Sequence, residues 1–188
     1  MYNHRKLHIM IDCDNVLNNL SEDWIIYLNK KHGLCINPNG LSHEKIYEAF
    51  SILSRDEIEF PLQDEAFGKS YTVKPGSYEC LKEILDDGHE VSVVTAHNSR
   101  TAGMKFEWVT THFPFISRDD IIITRKKHKV MGDVLIDDEV RNLLNGNYLK
   151  VLFDHPNNHG YDAKSDDMFR VHTLKEAYEV IKKELLTI

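Results

Sequence analysis

The chain is poor in the features that several protein classes need. It carries only three cysteines in 188 residues, Cys13, Cys35 and Cys80. They are widely spaced and odd in number, and no two form a Cys-x-x-Cys pair, so no disulfide framework is expected and a reduced, cytoplasmic setting is. No apolar run approaches the length of a membrane-spanning helix. The one apolar stretch near the start, Leu7 to Ile11, is too short for a signal peptide and is cut off by Asp12. Positive charge is in deficit: 23 Lys and Arg stand against 30 Asp and Glu, for a net charge of -7. Such a surface repels nucleic-acid backbones and anionic membranes, so neither is an expected partner. A small phosphate remains bindable wherever one pocket holds a metal ion and a lysine. Internal repeats and low-complexity tracts are absent.

What is present suits one soluble domain. A hydrophobic content of 41% and a charged content of 28% are ordinary for a globular chain, and 188 residues suffice for a full core plus a small insertion. Five compact apolar or β-branched runs read as strands: 7–11, 90–95, 120–124, 133–137 and 148–153. Helical spacing marks 20–32, with Gly33 as a stop signal, and continues through Ile46, Phe50 and Leu53. Ser54 to Glu57 and Thr173 to Glu176 match capping boxes, the second opening a C-terminal helix. Residues 77–87, 99–112 and 139–145 complete the helices, and 34–41 is a turn-rich loop. Strands alternating with helices predict an α/β fold with a parallel sheet. Helical residues from 17 to 73 interrupt that alternation after the first strand. They predict a small helical cap over a core domain made of 1–16 and 74–188.

In a parallel α/β sheet, ligands bind beyond the carboxyl ends of the strands. The first strand ends in Asp12-Cys13-Asp14 and the second in Thr95. Arg125-Lys126-Lys127 follows the third, and Asp137-Asp138 closes the fourth. Four carboxylates on one edge repel each other unless a cation binds among them, and hard oxygen ligands favour Mg²⁺. Taken alone, each element has a bland reading: a solvated turn, a capping hydroxyl, a surface lysine, an N-cap pair. Joined in order, each at a strand end, they point to phosphoryl transfer.

At these residues the chain resembles the haloacid dehalogenase (HAD) phosphatase superfamily. IMIDCDNVL resembles its first motif, VSVVTAHN the second, and VLIDDE the acidic fourth. The third-motif lysine falls among Lys126, Lys127 and Lys129, and spacing to the acidic pair matches the family best for Lys127. ITRKKHKVMGDVLIDD, VLFDHPNNHG and EWVTTHF are similar to the C-type 5′-nucleotidase branch, which includes the 5′(3′)-deoxyribonucleotidases. This chain departs from it in having Asn15 after the second aspartate and Lys126 before the lysine.

The resemblance implies a HAD-like Rossmannoid core and an enzyme that hydrolyses deoxyribonucleoside 5′-monophosphates. Asp12 would be the nucleophile that is transiently phosphorylated, and Asp14 the general acid and base. Mg²⁺ would be held by Asp12, the Asp14 carbonyl and Asp138, with Asp137 in support. Thr95 and the backbone from Ala96 onward would hold phosphate oxygens, and Lys127 would neutralise charge. The cap would set the substrate, with Phe50 and Phe67 as the aromatic contacts to the base. A homodimer is left open. Two other readings stand beside this one: a HAD phosphatase for another small ester such as a sugar phosphate, and a non-catalytic Mg²⁺-binding or receiver-like domain. His155 and His159 are expected on a loop near the active edge, His97 on a surface loop, and Cys13 as a small buried hydrophobe.

Overall fold

The computed structural model describes residues 5–96 and 102–187. Six parallel strands form one sheet: β1 (His8–Ile11), β2 (Glu90–Thr95), β3 (Ile121–Ile123), β4 (Val134–Asp137), β5 (Leu149–Phe153) and β6 (Met168–Val171). Their spatial order is β3-β2-β1-β4-β5-β6. The chain grows outward from β1 in one direction and then returns beside β1 to grow in the other. Between β1 and β4 lies the point where the winding reverses, and the strand ends diverge there to leave a crevice. The register places Ile11 opposite both Val93 and Ile136, so Asp12 and the β4 terminus leave the sheet side by side.

Hydrophobicity on both faces explains the strand runs. Ile9, Met10, Ile11, Val93, Val94, Leu135 and Ile136 are fully buried. Burying one such side chain is worth about 1.5–3 kcal/mol. Alternate residues feed two clusters, one on each face: Ile9 and Ile11 in the larger, Met10 and Leu135 in the smaller.

Between β1 and Val73 come four α-helices: α1 (Leu20–His32), α2 (His43–Ala49), α3 (Arg55–Glu59) and α4 (Glu65–Lys69). The segment leaves and rejoins the sheet through one neck, where Asn18 bridges Val73 and Lys74 N–H donates to Leu17 O at 2.8 Å. Its apolar residues Trp24, Ile46, Phe50 and Phe67 belong to the larger cluster that also holds Ile9 and Ile11. Gly33 ends α1 with φ 67°, a conformation glycine adopts without strain. The predicted box at Ser54 forms in full, with Glu57 reaching back to Ser54 N–H.

Downstream are α5 (Ser77–Asp86), α6 (Ala102–His112), α7 (Val140–Leu143) and α8 (Leu174–Ile181). The first residues expected in the helix before Ala102, like His97, lie outside the described residues. α4 lies close on α6: a Cβ at Gly68 would meet Met104 Cε at 2.7 Å. At α8 the Thr173 hydroxyl accepts from Glu176 N–H, but Glu176 reaches back to His172 N–H and not to Thr173. Strand β6 adds a sixth member to the five-strand reading. It is short and only half-buried at its centre, and Arg170 inside it bonds Asp154 and Asn158.

Candidate active site at the carboxyl edge of the sheet

The chain turns sharply after β1, and two asparagines hold the turn. Asn15 takes φ 58°, a left-handed conformation that asparagine tolerates better than most residues. Its amide donates to Asp138 Oδ2 at 3.2 Å, and its carbonyl accepts from Ser21 N–H at 3.0 Å. Asn18 accepts from Asn15 and Leu20 N–H and donates to Asp14 Oδ1 at 3.0 Å. The turn thus ties the loop after β1 to both β4 and α1.

Asp12, Asp137 and Asp138 each offer one oxygen, and these lie within 4.8 Å of one another. All three are buried. Burial pushes the Asp12 carboxyl up to about 7, helped by Asp137 and Asp14 and opposed by Lys127. Burial and the charges of Asp12 and Asp137 likewise hold Asp138 well above the usual carboxylate range. Such a set is strained as three anions and is relieved by a cation at its centre.

The three carboxylates are not equivalent. Asp137 Oδ2 accepts from Lys127 at 2.7 Å, and its Oδ1 accepts from Glu139 N–H at 2.8 Å and Asn142 at 3.0 Å. It is spoken for by protein donors. Asp12 Oδ1 accepts from Cys13 N–H at 2.7 Å and pairs with Lys127 at 2.8 Å. Among the described residues, the Asp138 carboxylate has only the long contact from Asn15 and His155 Nδ1 at 3.7 Å. Asp12 and Asp138 are therefore the carboxylates with capacity left for a cation, and Asp137 is the one that orients Lys127.

Lys127 is 1% exposed and starts a short 3₁₀ turn after β3. Burial disfavours its charge, but Asp12 and Asp137 outweigh that and hold it as an ammonium above the usual range. Neither Lys126 nor Lys129 is buried. Thr95 ends β2 fully buried, and its hydroxyl oxygen has no hydrogen-bond partner among the described residues. An orphaned buried hydroxyl costs about 1–3 kcal/mol, which a ligand oxygen would recover. Ala96, beside it, lines the cleft.

Two sequence expectations for the substrate end do not match the geometry. Phe50 is fully buried in the same core cluster as Ile46 and Trp24, and Phe67 packs between Tyr27 and Tyr71 at ring distances of 5.0 Å. Neither lines the cleft; from the helical segment Leu20 and His43 do. The apolar periodicity that marks these phenylalanines is that of a core, and the core is where they go.

One charged residue escaped the sequence reading. Lys105, in α6, is 2% exposed and forms an ion pair with Asp14 Oδ1, with its ammonium 5.0 Å from the Tyr71 ring centre. Burial opposes the charge, yet Asp14 and its neighbours hold Lys105 above the ordinary lysine range. Its sequence signal is faint: it adjoins Met104 and stands four residues before Val109, both buried.

The remaining residues frame the site. Asn158 donates to both Asp138 O and Phe153 O at 2.8 Å, which brings the 154–160 loop to the active edge. Burial holds the His155 imidazole neutral, down to about 3, and its Nδ1 accepts from Asn157 N–H. Cys13 is fully buried, and burial pushes its thiol up, away from nucleophilic use. The cleft over these groups measures about 440 Å³.

Comparison with known proteins agrees with this geometry. Residues 5–186 match the family described as 5′ nucleotidase, deoxy (pyrimidine), cytosolic type C protein. The chain is 30% identical over 152 residues to a 5′(3′)-deoxyribonucleotidase of Bacillus subtilis, covering 80% of this chain and 86% of that one. A 5′(3′)-deoxyribonucleotidase of Clostridium acetobutylicum is 30% identical over 159 residues, covering 85% of each chain. Among solved structures, a HAD-type hydrolase of Bacillus subtilis bound to magnesium superposes with a TM-score of 0.58 at 14% identity, over 94% of this chain and 99% of that one. A haloacid dehalogenase-like hydrolase of Burkholderia xenovorans gives 0.58 at 16% identity, over 97% of this chain and 100% of that one. These two show the shared fold. With the family match spanning nearly the whole chain, the protein belongs to the type C 5′-nucleotidase family of HAD phosphatases and is a phosphoric monoester hydrolase.

Proposed function

We propose that the protein hydrolyses deoxyribonucleoside 5′-monophosphates to nucleoside and phosphate through an aspartyl-phosphate at Asp12, with Mg²⁺ as its metal. The observation that carries this reading is the pairing of Asp12 and Asp138 across the β1–β4 crevice, with Lys127 between Asp12 and Asp137. All-oxygen donors in a compact buried set fit Mg²⁺. When bound there, Mg²⁺ would supply the positive charge that lets an anionic carboxylate meet an anionic phosphate. Asp12, Asp138 and the Asp14 carbonyl would hold it, with Asp137 in support.

The chain's own groups do the rest. Asp12 is fixed through Oδ1 by Cys13 N–H and Lys127, and attacks phosphorus in line. The Thr95 hydroxyl and the backbone at Ala96 receive phosphoryl oxygens. Lys127 stays an ammonium throughout and spreads charge away from the transferring group. Asp14 gives a proton to the leaving alkoxide and later takes one from the water that cleaves the acyl phosphate. Lys105 and Asn18 orient the Asp14 carboxylate for both tasks. Residues 17–73 act as the cap, contributing Leu20 and His43 to the cleft wall. The three cysteines are free thiols, and no helix among the described residues is long and apolar enough to cross a membrane, in keeping with a cytoplasmic enzyme.

A Mg²⁺-supported phosphate-release screen over nucleoside monophosphates and common sugar phosphates tests this. Preferential turnover of deoxyribonucleotides is the expected result. Preference for a sugar phosphate would sink the substrate assignment while leaving the phosphatase. An inert protein that holds a long-lived acyl phosphate would point to the receiver-like reading instead.

A further inference from the structure

The cations of the cleft fall into two groups. The buried one is already matched: Lys127 bonds Asp12 and Asp137, while Asp14 is paired from behind by Lys105. Those at its mouth are not. Arg125 follows β3, lines the same cleft, is exposed, and has no ion-pair partner among the described residues. Arg141, in α7, also lines the cleft, with its side chain 81% exposed and one loose pairing, to Glu139 at 3.4 Å. In a chain whose carboxylates outnumber its cations by 30 to 23, the exposed members among this cleft's arginines and carboxylates are both guanidinium groups, while its carboxylates Asp12, Asp14, Asp138 and Glu139 are buried or half-buried. His128 lines the same cleft, and Lys126 adjoins Arg125 in the chain.

A nucleoside monophosphate brings one anionic group, and the proposed chemistry consumes it at the floor, against Asp12, Thr95 and Lys127. Nothing on that substrate answers the arginines. A guanidinium fork matches a phosphate through two parallel hydrogen bonds, and a cleft of about 440 Å³ lies in the range that encloses a whole small molecule. We propose that Arg125 and Arg141 form a second-anion subsite, so that this cleft favours nucleosides phosphorylated on two different hydroxyls over the matching monophosphates. The inference rests on the nucleotidase reading of the floor and extends it to the mouth. At the floor the scissile P–O bond breaks and water supplies hydroxide to phosphorus and a proton to the alkoxide. The second phosphate departs intact with the product, a nucleoside monophosphate.

The test is calorimetric binding, in the presence of Mg²⁺ and at fixed ionic strength, of a nucleoside 3′,5′-bisphosphate and the 5′-monophosphate of the same base. The Asp12→Asn protein serves as the non-turning-over parent, and Arg125→Gln with Arg141→Gln is added to it. The parent is expected to bind the bisphosphate about tenfold tighter or more, and the double replacement to bring the ratio to within about twofold. Added salt should shrink the parent's preference. The same ratio taken from kcat/KM with Asp12 in place must agree. Equal affinity in the parent, or a preference that survives loss of both arginines, overturns the subsite. Failure of the parent to bind either nucleotide would sink the nucleotide reading itself, and the subsite with it.

Discussion

Lys127 Nζ stands 2.8 Å from Asp12 Oδ1 and 2.7 Å from Asp137 Oδ2, so one buried ammonium joins the end of β1 to the end of β4. Removing it leaves two buried carboxylates facing each other without their common cation. Lys127→Met should lower kcat/KM by about a hundredfold to a thousandfold, the scale of losing one preorganised charge in a water-poor site. It should also cost about 3–5 kcal/mol of stability, because breaking a buried pair leaves the partner uncompensated. Steady-state kinetics and a urea titration read the two effects separately.

The raised Asp12 carboxyl makes a pH prediction whose sign is fixed. Its folded value, about 7, lies above the ordinary aspartate value of 3.8, so the folded protein binds more protons than the unfolded one between those limits. Without metal, this carboxyl therefore lowers stability as pH rises from about 4 through about 7, by a few kcal/mol at most. Asp12→Asn should remove that fall. The stability difference between Asp12→Asn and the unsubstituted protein should grow from pH 5 to pH 8 without metal. In excess Mg²⁺ it should shrink, because the cation replaces the proton. Thermal melts at several pH values, with and without Mg²⁺, measure it.

Lys105 and Asp14 form a buried unit, and units do not add. Lys105→Met should cut kcat by about tenfold to a hundredfold with a smaller change in KM. The double change with Asp14→Asn should be no worse than Asp14→Asn alone. Independent, multiplying losses in that double-mutant cycle would mean that Lys105 does not act through Asp14.

Asn15 is held by conformation and by two side-chain hydrogen bonds. Asn15→Ala should destabilise by about 2–4 kcal/mol, combining left-handed strain with lost hydrogen bonds. Asn15→Gly removes only the strain and should recover about 1 kcal/mol of it. Chemical denaturation of the two variants separates the contributions.

The aromatic residues of the helical segment offer a contrast. Phe50→Ala should cost about 3–5 kcal/mol as a core cavity and leave the ratio of kcat/KM between purine and pyrimidine substrates unchanged. His43→Ala, at the cleft wall, should move that ratio while costing little stability. The reverse pattern would return Phe50 to the substrate.

Much of this site was legible because the strands are apolar runs with abrupt polar ends. Leu7–Ile11 before Asp12, and Val134–Ile136 before Asp137, mark buried strands and deliver the carboxylates without help from tertiary structure. Choosing Lys127 over Lys126 and Lys129 needed order and spacing, and burial now separates them. Lys105 stayed hidden because a lone lysine in a helix is usually a solvated one, and only its place beside the Met104–Val109 stripe hinted otherwise. Phe50 and Phe67 went astray because core-filling and ligand-stacking aromatics share one spacing. Strand β6 was missed because Arg170 breaks its apolar pattern, and the reason is that Arg170 serves the Asp154–Asn158 loop.

Whether Asp12 becomes phosphorylated is read by trapping the acyl-phosphate bond itself. The enzyme would be quenched during turnover of a deoxyribonucleoside 5′-monophosphate with Mg²⁺, reduced with borohydride and digested for mass spectrometry. Asp12 is expected to be converted to homoserine, dependent on substrate and metal. No conversion is expected elsewhere, and no phosphate release by Asp12→Asn. Reduction at another carboxylate, or sustained turnover by Asp12→Asn, would contradict a phosphorylated Asp12.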